Sequence, residues 1–378
     1  MDPVHTSLSR SLPDSQRFGL RVMRGSIAEI DDRKLIEEIV SAEADVVIIR
    51  VPAGSGRKLQ RLARVGMHPI HADTLVYYQV SLTQYDPRPL RNADLEFTQA
   101  GPGDASDLEA LVAGTFVGYN SHYHANPRLD EQKILAGYVE WASGYLTPAD
   151  ETRITWVARR QGRIVAFACC SHDRSAGRCE GILYGVHPEH SGGGLYGDLI
   201  RYTQASFRER GFETMEVSTQ IWNLAVQKVW SREGFVLNRA YDTFHINAML
   251  SHGEAVVEQE LRFSHAQVEQ FAALTGDANP VHLNEDSARA AGFDGRISHG
   301  MLAGGELSRI FGTVAPGLGT LFLRSELVFL NPIYPGRSYR LVVRLPTSRR
   351  GYVPAVATIR GLDGSLCLLS YSDLLTRS

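Results

Sequence analysis

Residues 181–197 read Gly181-Ile-Leu-Tyr-Gly-Val-His-Pro-Glu-His-Ser-Gly-Gly-Gly-Leu-Tyr-Gly197. A strand pattern over the first six residues passes through a glycine-rich turn into a helical pattern that continues to about Arg210. Glycines let a backbone approach an anion closely, and the unpaired N–H groups and the dipole at a helix start bind phosphate oxygens. The stretch therefore predicts a phosphate-binding turn in an α/β sheet. A plain tight turn is the alternative.

The flanking sequence alternates between strand and helix patterns, which predicts an α/β domain. Strands are expected at 95–99, 154–159, 163–170, 214–219 and 241–248, and helices at 104–113 and 224–232. Residues 20–94 carry a shorter version of this plan, with strands expected at 20–24, 45–51 and 74–82 and a helix at 31–40. The strand at 20–24 with its helix, and the strand at 95–99 with its helix, share one plan, which favours a weak internal duplication whose first copy lacks the glycine turn. Chance similarity between two strand–helix units is an equally good explanation.

The sequence changes style after residue 250. Residues 250–256 interrupt the pattern and are expected to form a linker. Ser264 and Gln267 have the spacing of a capping box at the start of a helix, and Gly300–Phe311 is an apolar segment with many small residues. Strand patterns follow at 320–330, 338–345, 352–360 and 365–375. This order predicts a curved sheet around a buried helix.

Length, charge and cysteine content exclude several classes of protein. A chain of 378 residues is too long for one ordinary core, so two or three domains are expected. A formal charge of −3 gives no basis for binding nucleic acid, and no apolar run approaches the roughly 20 residues that span a membrane. The polar residues 1–19 have no signal-peptide core and are expected to form a mobile tail. The four cysteines lack zinc-site spacing, so we expect no metal site and a cytoplasmic location.

The region from Leu95 to Ala248 resembles the GNAT acyltransferase family. The resemblance rests on the glycine turn and on Asn223-Leu-Ala-Val-Gln-Lys-Val-Trp-Ser-Arg-Glu-Gly-Phe235. In that family the turn holds the pyrophosphate of an acyl-CoA, and the preceding strand binds its pantetheine arm. The acyl-CoA site that the resemblance implies consists of Val186, Gly192, Gly193, Gly194, Leu195, Tyr196, Gly197 and Asn223.

Three positions depart from the family pattern. Ser191 stands where Arg or Gln is usual and Tyr196 where Gly or Ala is usual, but backbone N–H groups do most of the phosphate binding, so we expect CoA binding to survive. Trp230 stands where many members have a tyrosine that protonates the leaving thiolate, and an indole cannot act as that acid. Either another group such as Tyr241 serves, or the thiolate leaves without assistance.

The loop Phe116-Val-Gly-Tyr-Asn-Ser-His-Tyr-His-Ala-Asn-Pro-Arg128 is rich in aromatic and hydrogen-bonding groups. His122 and His124 are candidates to bind a nucleotide diphosphate or to accept a proton from an attacking amine. Surface hydrogen bonding is the alternative. With Ser218-Thr-Gln-Ile-Trp-Asn223, the loop resembles sugar-nucleotide N-acyltransferases of O-antigen pathways, which acylate dTDP-linked amino-deoxysugars. The resemblance implies a sugar-nucleotide site at Tyr119, His122, His124 and Asn126.

A second site lies in Thr275-Gly-Asp-Ala-Asn-Pro-Val-His-Leu-Asn284 and Gly295-Arg-Ile-Ser-His-Gly-Met-Leu302. Adding water to an unsaturated thioester needs a base for the water and an acid for the carbon, and Asp277 and His282 suit those tasks. The region from about Gln259 onward resembles the MaoC-like (R)-specific enoyl-CoA hydratases. That resemblance implies a hot-dog fold and a homodimer or larger assembly.

The same resemblance implies roles for three further residues of the second site. The backbone N–H of Gly300 would stabilise the enolate oxygen, and Asn279 would orient the carboxylate or its loop. Ser308 falls where members have a polar residue near the site. A helix serine bonded to its own backbone is an equally good reading of Ser308.

The expected fold class is an α/β GNAT domain with an N-terminal degenerate GNAT-like α/β segment, followed by a C-terminal α+β hot-dog domain. The expected boundaries are a tail at 1–19, the degenerate segment at 20–94, the GNAT domain at 95–250 and the hydratase domain at 257–378. This arrangement resembles bifunctional sugar-nucleotide 3-hydroxybutyryl transferases. It implies CoA thioesters as substrates and no permanently bound cofactor.

The expected reaction sequence hydrates crotonyl-CoA to (R)-3-hydroxybutyryl-CoA and transfers the acyl group to the amine of a dTDP-amino-dideoxysugar such as dTDP-3-amino-3,6-dideoxygalactose. The first alternative is an acetyl-CoA-dependent N-acetyltransferase with a non-catalytic hot-dog module for dimerisation or CoA binding. Two others are an acyltransferase for an antibiotic or another small amine, and a regulatory acyl-CoA-binding domain.

Overall fold

The computed structural model describes residues 7–146, 151–347 and 350–376. The strands in these ranges form two sheets, one of ten strands and one of five. No helix in the same ranges has both the length and the apolar character that crossing a bilayer requires.

The ten-stranded sheet has the spatial order β1-β2-β3-β10-β4-β9-β8-β7-β6-β5. Its strands are β1 (Ser9–Arg10), β2 (Val22–Ser26), β3 (Val46–Pro52), β4 (Pro69–Ser81), β5 (Glu96–Gln99), β6 (Arg153–Arg160), β7 (Arg163–Asp173), β8 (Arg178–Val186), β9 (Thr214–Gln220) and β10 (Val236–Asn247). Its helices are α1 (Leu12–Phe18), α2 (Asp32–Ser41), α3 (Ala105–Phe116), α4 (Glu131–Ser143), α5 (Leu195–Glu209) and α6 (Leu224–Arg232). Short 3₁₀ segments lie at Gly56–Val65, Pro102–Asp104, His122–Ala125 and Pro188–His190.

Two similar units build the centre of this sheet by exchanging their last strands. The first unit consists of β2, α2, β3, the 3₁₀ segment Gly56–Val65 and β4, and the second consists of β8, α5, β9, α6 and β10. In the first unit β2 and β3 are parallel neighbours, and in the second β8 and β9 are parallel neighbours. The last strand of each unit pairs with the other unit, since β10 lies antiparallel to β3 and β4 lies antiparallel to β9. β4 and β10 then pair with each other. Residues 20–94 and 95–250 therefore share one sheet across the expected boundary.

The sequence pattern suggested that α2 of the first unit corresponds to α3, and the structure shows a different correspondence. α2 connects two parallel neighbours, and so does α5, whereas α3 follows the edge strand β5. The counterpart of α2 is therefore α5, and the expected pairing of α2 with α3 was wrong because strand order is not visible in local periodicity. The two helix starts also differ. Asp31 caps α2 by accepting from the N–H of Lys34, while no side chain caps α5.

A cleft opens in the second unit only. β8 and β9 are paired from Arg178–Gly181 against Thr214–Val217, and they then diverge although β8 continues to Val186. In the first unit, β2 pairs with β3 along its whole length from Val22 to Ser26. The unpaired end of β8 therefore leaves backbone groups available to an extended ligand at the centre of the sheet.

The N-terminal region packs against the loop between α3 and α4. Ser11 caps α1 by accepting from the N–H of Asp14, whose carboxylate accepts from the hydroxyl of Tyr123 at 2.9 Å. Phe18 is buried and lies 5.6 Å from the ring of Tyr123. The expected mobile tail was wrong for residues 8–19, because Leu8 packs on the first core cluster, β1 pairs with β2, and α1 contacts Tyr123 more than 100 positions away. Residues 1–6 of the expected tail lie outside the described residues.

The five-stranded sheet has the order β11-β13-β14-β15-β12. It consists of β11 (Glu254–Leu261), β12 (Thr320–Phe329), β13 (Tyr339–Leu345), β14 (Gly351–Gly361) and β15 (Leu366–Thr376), with α7 (His265–Thr275), α8 (Pro280–Leu283), α9 (Glu285–Ala290) and α10 (Gly300–Thr313). Leu307, Ile310 and Phe311 of α10 are buried against one face of the sheet. A sheet wrapped around a central helix is the hot-dog fold that the sequence predicted.

The other face of the five-stranded sheet packs on the first α/β unit. Val328 and Leu369 belong to the same buried cluster as Leu59 and Leu62 of the 3₁₀ segment. The hydroxyl of Tyr371 donates to the carbonyl of Ala248 at 2.7 Å. Residues 20–94 therefore connect the two sheets as well as completing the first.

Candidate active sites

The glycine turn presents open backbone donors at the start of α5. Gly192 and Gly194 have φ values of 84° and 85°, which glycine adopts without strain. Gly194 is the N-cap residue, so the N–H groups of Leu195, Tyr196 and Gly197 have no acceptor within the helix. With the positive end of the helix dipole, these N–H groups can bind phosphate oxygens, and their role in binding acyl-CoA stays a prediction.

Buried hydrogen bonds hold this turn in place. Asp198 in the first turn of α5 is fully buried and accepts from the backbone N–H groups of Arg91 and Asn92 at 2.9 Å each. The side-chain amide of Asn92 also donates to the carbonyl of Gly193 at 3.1 Å. The segment before β5 therefore fixes the position of the glycine turn.

Arg201 extends this support to α6. Its guanidinium donates to Asp198 at 3.0 Å and to both carboxylate oxygens of Glu233, at 3.0 and 2.6 Å. All three side chains are at most 5% exposed. Two buried carboxylates that share one guanidinium form a rigid network when every partner is present. This network ties the start of α5 to the end of α6.

A cavity of 860 Å³ begins at the cleft between β8 and β9. Beside α5 and α6 it is lined by Tyr196, Asn223 and Trp230, and beside β2 and β3 of the first unit by Arg24 and Arg50. Its walls thus come from both units and from the loop between α3 and α4. A cavity of this size is large enough for a small-molecule substrate beside the cleft.

Tyr196 and Trp230 contact each other inside the cavity. The indole N–H of Trp230 donates to the phenol oxygen of Tyr196 at 3.2 Å, and Trp230 is only 3% exposed. Because its oxygen accepts that bond, the phenol keeps its own proton for a ligand. Burial raises the pKa of Tyr196 above its usual value, so the phenol is protonated at neutral pH.

Tyr241, the expected alternative acid, lies elsewhere. It is on β10, its ring packs edge-on against Tyr77 at 5.7 Å, and it is not among the residues that line the cavity. The expectation for Tyr241 was wrong, because the exchange of β4 and β10 puts β4, not β10, beside β9.

Of the four expected site residues in the aromatic loop, two line the cavity and two form hydrogen bonds within the protein. Tyr119 and His122 line the cavity, and the hydroxyl of Tyr119 donates to Gln220. His124 instead accepts the N–H of Ser121 through Nδ1 at 3.1 Å. Asn126 is 1% exposed and bonded within the protein. The structure therefore does not bring the expected site residues His124 and Asn126 to the cavity.

A chain of hydrogen bonds fixes the proton on His122. The N–H of Arg128 donates to Oδ1 of Asn126 at 3.1 Å, so the opposite side of that amide is Nδ2. Nδ2 of Asn126 lies 3.3 Å from Nδ1 of His245, which must accept. The proton of neutral His245 is then on Nε2, which lies 2.9 Å from Nδ1 of His122. His122 accepts there and carries its own proton on Nε2.

This chain makes His122 a hydrogen-bond donor instead of a base. Burial, the neighbouring His245, and the guanidinium groups of Arg24 and Arg50 hold the pKa of His122 well below its usual value. Burial lowers the pKa of His245 to about 3. The expectation that His122 accepts a proton from the attacking amine is therefore wrong, since its Nδ1 is occupied and its cation is disfavoured.

The second site lies in the hot-dog domain between α7 and α8. Ligand-capable atoms of Asp277, His282 and His299 lie within 4.8 Å of one another. The Nδ1 of His282 is 2.9 Å from the carbonyl of Ile297, so the proton is on Nδ1 and Nε2 keeps its lone pair. A carboxylate oxygen and an imidazole nitrogen at this separation can both hydrogen-bond to one water, and their catalytic role stays a prediction.

Asn279 and Gly300 have positions that suit their expected roles. The N–H of Asn279 donates to Oδ1 of Asp277 at 3.3 Å, and its side chain caps α8. Gly300 is the first residue of α10, and its N–H has no acceptor within the helix. A Cβ at Gly300 would lie 2.8 Å from the ring of Phe329, which explains the glycine. Ser308 is exposed on α10, and its expected role stays a prediction.

His299 is a further member of this cluster. Its Nε2 donates to the carbonyl of Asp277 at 3.0 Å, and its ring lies 3.9 Å from that of His282. This bond occupies the nitrogen nearest to the carboxylate, so the three residues do not form an open metal-binding set. Its buried Nδ1 has no partner among the described residues. His299 therefore packs under the catalytic pair and holds the backbone of Asp277.

Sequence reasoning missed His245, Arg24 and Arg50. His245 carried one usable signal, because it is a polar residue at a fully buried position of a strand pattern. Arg24 and Arg50 look like ordinary charges at the ends of strands. Only the packing of the first unit against the aromatic loop brings them to the cavity.

Two family models match separate parts of the chain. Residues 114–235 match the acetyltransferase (GNAT) family, and residues 248–352 match the MaoC-like domain. Among solved structures, the chain is similar to an (R)-hydratase from A. caviae, with 27% identity over 34% of this chain and 99% of that one and a TM-score of 0.30. It is also similar to a GCN5-related N-acetyltransferase from Sphaerobacter thermophilus, with 18% identity over 53% of this chain and 59% of that one and a TM-score of 0.40.

Curated relatives match the C-terminal part. An (R)-specific enoyl-CoA hydratase from Rhodospirillum rubrum is 41% identical over 73 residues, 19% of this chain and 51% of that protein. A 3-hydroxybutyryl-CoA dehydratase from Methylorubrum extorquens is 33% identical over 25% of this chain and 64% of that protein. The chain thus spans between about half and two thirds of the length of these two relatives.

An (R)-specific enoyl-CoA hydratase from Aeromonas caviae is matched over more of its length. It is 35% identical over 99 residues, which cover 26% of this chain and 74% of that protein. Through its C-terminal region, which follows a GNAT acetyltransferase domain, the chain belongs to the family of MaoC-like (R)-specific enoyl-CoA hydratases.

Proposed function

We propose that the protein is a bifunctional enzyme that hydrates an enoyl-CoA and transfers the resulting acyl group to an amine. The observation that carries the first half is the proximity of Asp277 and His282, whose ligand-capable atoms lie within 4.8 Å of each other. The second half is carried by the uncapped start of α5 beside the divergence of β8 and β9. Both are sites for a CoA thioester.

In the hydration step, Asp277 and His282 hold the attacking water. One of them removes a proton from the water as the new C–O bond forms at Cβ, and a proton is delivered to Cα. The lone pair on Nε2 of His282 suits it to the proton exchange, because Nδ1 is committed to Ile297. Negative charge develops on the thioester oxygen, and the N–H of Gly300 with the dipole of α10 stabilises it.

In the transfer step, the pyrophosphate of the acyl-CoA lies on the N–H groups at the start of α5, and the pantetheine arm follows the unpaired edge of β8. The amine attacks the carbonyl carbon, the C–S bond breaks, and its electron pair goes to sulfur. The sulfur takes up a proton, and we propose that the phenol of Tyr196 donates it. The phenol recovers a proton from the nitrogen, which loses one as the amide forms, so the products are an amide and CoA with a free thiol.

The substrates that we propose are crotonyl-CoA and a dTDP-linked 3-amino-3,6-dideoxyhexose for a surface polysaccharide. The 3-hydroxybutyryl-CoA name of the Methylorubrum extorquens relative supports the four-carbon acyl group. The volume and the mixed polar and apolar lining of the cavity support an acceptor larger than a simple amine. Tethering the two domains raises the local concentration of the intermediate. Because both steps consume CoA thioesters, we propose a cytoplasmic location.

We also propose that two or more copies associate through the hot-dog domain. β12 is an edge strand, and its consecutive residues Leu321, Phe322 and Leu323 are 40%, 41% and 52% exposed. An apolar edge of this kind is covered in a stable protein. Light scattering should give at least twice the mass of one chain, and Leu323→Asp should reduce it. A wild-type monomer at micromolar concentration contradicts the association.

The absorbance of the enoyl thioester tests the hydratase directly. Wild-type protein should remove the absorbance of crotonyl-CoA, and Asp277→Asn should lower the rate roughly 100-fold or more. Asp294→Asn is the matched control, since Asp294 is an exposed acid in the same domain. If folded wild-type protein leaves the absorbance unchanged, the hot-dog domain is a non-catalytic module and the proposal fails.

A further inference from the structure

The end of the cavity farthest from α5 is built by the first α/β unit. Arg24 on β2 and Arg50 on β3 both line it. Ser26 is the register partner of Arg50, and Arg24 lies two positions before Ser26, so both arginines project from the same face of adjacent strands. Two guanidinium groups from neighbouring strands thus face one chamber.

Arginines and carboxyl groups alternate around this chamber. Asp14, a buried carboxylate, pairs with Arg24 at 2.7 Å and with Arg17 at 3.1 Å. Arg17 also pairs with Glu140, whose side chain is 64% exposed. The buried carboxyl of Asp73 lies near enough to Arg50 for the guanidinium to oppose the rise that burial causes in its pKa.

The field of the two guanidinium groups also reaches His122, since both Arg24 and Arg50 lower the pKa of that residue.

His122 adds a donor with a fixed direction. It is 8% exposed and lines the cavity, and Nδ1 is occupied by His245. The hydrogen-bond chain from Arg128 through Asn126 and His245 puts the proton of His122 on Nε2. This buried N–H has no acceptor within the described part of the chain. It lies across the ring from His245, so it is available to a ligand in the chamber.

We propose that Arg24, Arg50 and the Nε2–H of His122 form a phosphate-binding subsite for the acyl acceptor. Two guanidinium forks and one neutral N–H donor suit the oxygens of a diphosphate, because charge-assisted and bidentate contacts are the strongest hydrogen bonds that side chains make. His245 is the positioning residue that keeps His122 a donor. The inference rests on the proposed transfer reaction and gives the first α/β unit, which has no CoA cleft, the task of holding the acceptor.

The subsite is distinct from the one for the CoA pyrophosphate. The latter uses backbone N–H groups of α5, and the former uses side chains of β2, β3 and the aromatic loop. Saturating the enzyme with CoA therefore leaves the acceptor subsite open. This separation allows each phosphate site to be measured alone.

Calorimetric titration of the whole protein in saturating CoA tests the subsite. The probes are dTDP, inorganic pyrophosphate and thymidine. dTDP should bind, thymidine should bind roughly 10-fold or more weakly, and pyrophosphate should compete with dTDP. Arg50→Met should weaken dTDP binding roughly 10-fold, and Arg50→Lys should weaken it less because the charge stays. Arg33→Met is the control, since Arg33 is 89% exposed on α2.

His122→Phe and His245→Phe should each weaken dTDP binding while the Kd for CoA stays unchanged, which shows that the variants are folded. Equal affinity for dTDP in wild type and Arg50→Met, or equal affinity for dTDP and thymidine, overturns the subsite. If the wild type fails to bind dTDP, the subsite is overturned as well. Transfer of an acyl group to an unphosphorylated amino sugar with the same KM would leave the proposed function intact while the subsite fails.

Discussion

The indole N–H of Trp230 donates a hydrogen bond to the phenol oxygen of Tyr196 at 3.2 Å. Both residues differ from those usual at their positions in the GNAT family, and the two side chains are in contact. We propose that the phenol of Tyr196, at the start of α5, takes the place of the tyrosine that many members of the family have at the position of Trp230. The bond from Trp230 holds the phenol oxygen in place and leaves its proton directed at the ligand.

Tyr196→Phe should therefore impair the chemical step of acyl transfer. We expect kcat to fall roughly 100-fold with little change in the KM for acyl-CoA, because the phosphate contacts come from the backbone. Release of CoA thiol measures the rate. Adding Trp230→Tyr to Tyr196→Phe should restore part of it by supplying a phenol from the other side. Tyr202→Phe is the control, as this phenol lies on the same helix and stacks on Phe97. Equal kcat in Tyr196→Phe and wild type removes the assignment.

The two buried histidines should make stability depend on pH below 6.5. The pKa values of His122 and His245 are lowered in the folded state, His245 to about 3, while both are near 6.5 in the unfolded chain. As pH falls, the unfolded state gains protons that the folded state refuses, so stability is lost on acidification and is complete at neutral pH. With a folded-state pKa of about 3, His245 alone should account for about 2 kcal/mol between pH 7 and pH 5, and His122 should act in the same direction.

Urea unfolding at pH 7, 6 and 5 measures this dependence. The double variant His122→Phe/His245→Phe should lose less stability on acidification than wild type, whatever its absolute stability at pH 7. Comparing slopes separates proton linkage from any packing defect that the substitutions introduce. Parallel declines in the two proteins would show that these histidines are protonated in the folded state.

Arg201 should be critical for both stability and CoA binding. Removing it leaves Asp198 and Glu233, which are 0% and 3% exposed, without their cation. Uncompensated buried charge of this kind costs about 3–5 kcal/mol. Arg201→Met should lower the unfolding midpoint and weaken CoA binding, because Asp198 positions the glycine turn. Arg208→Met on the same helix should have little effect, since its partner Asp86 is 86% exposed. Wild-type stability in Arg201→Met would show that the network is not a support.

Local sequence patterns predicted most elements of the fold. The glycine turn before α5, the capping box of α7 and the small-residue helix α10 depend on neighbouring residues, and each was found where expected. The pair of Asp277 and His282 is also local, because only four residues separate them. Short-range signals of this kind survive in any tertiary context.

The parts that could not be predicted depend on long-range pairing. The exchange of β4 and β10 joins strands about 160 residues apart, and no periodicity records it. The fixed position of α1 depends on the hydrogen bond from the hydroxyl of Tyr123 to Asp14. The donor role of His122 depends on its hydrogen bond with His245, which lies on a strand distant in sequence. The end of the cavity at Arg24 and Arg50 was therefore the least predictable part, since it is assembled from three separate segments.

Both steps are tested together by the isotope content of the product. The protein is incubated with crotonyl-CoA and dTDP-3-amino-3,6-dideoxygalactose in water enriched in ¹⁸O, and the amide is analysed by mass spectrometry. We predict a 3-hydroxybutanoyl amide that carries one ¹⁸O in its hydroxyl group, and no such product from Asp277→Asn. A crotonyl amide as the main product, or no amide at all, would contradict the coupled reaction.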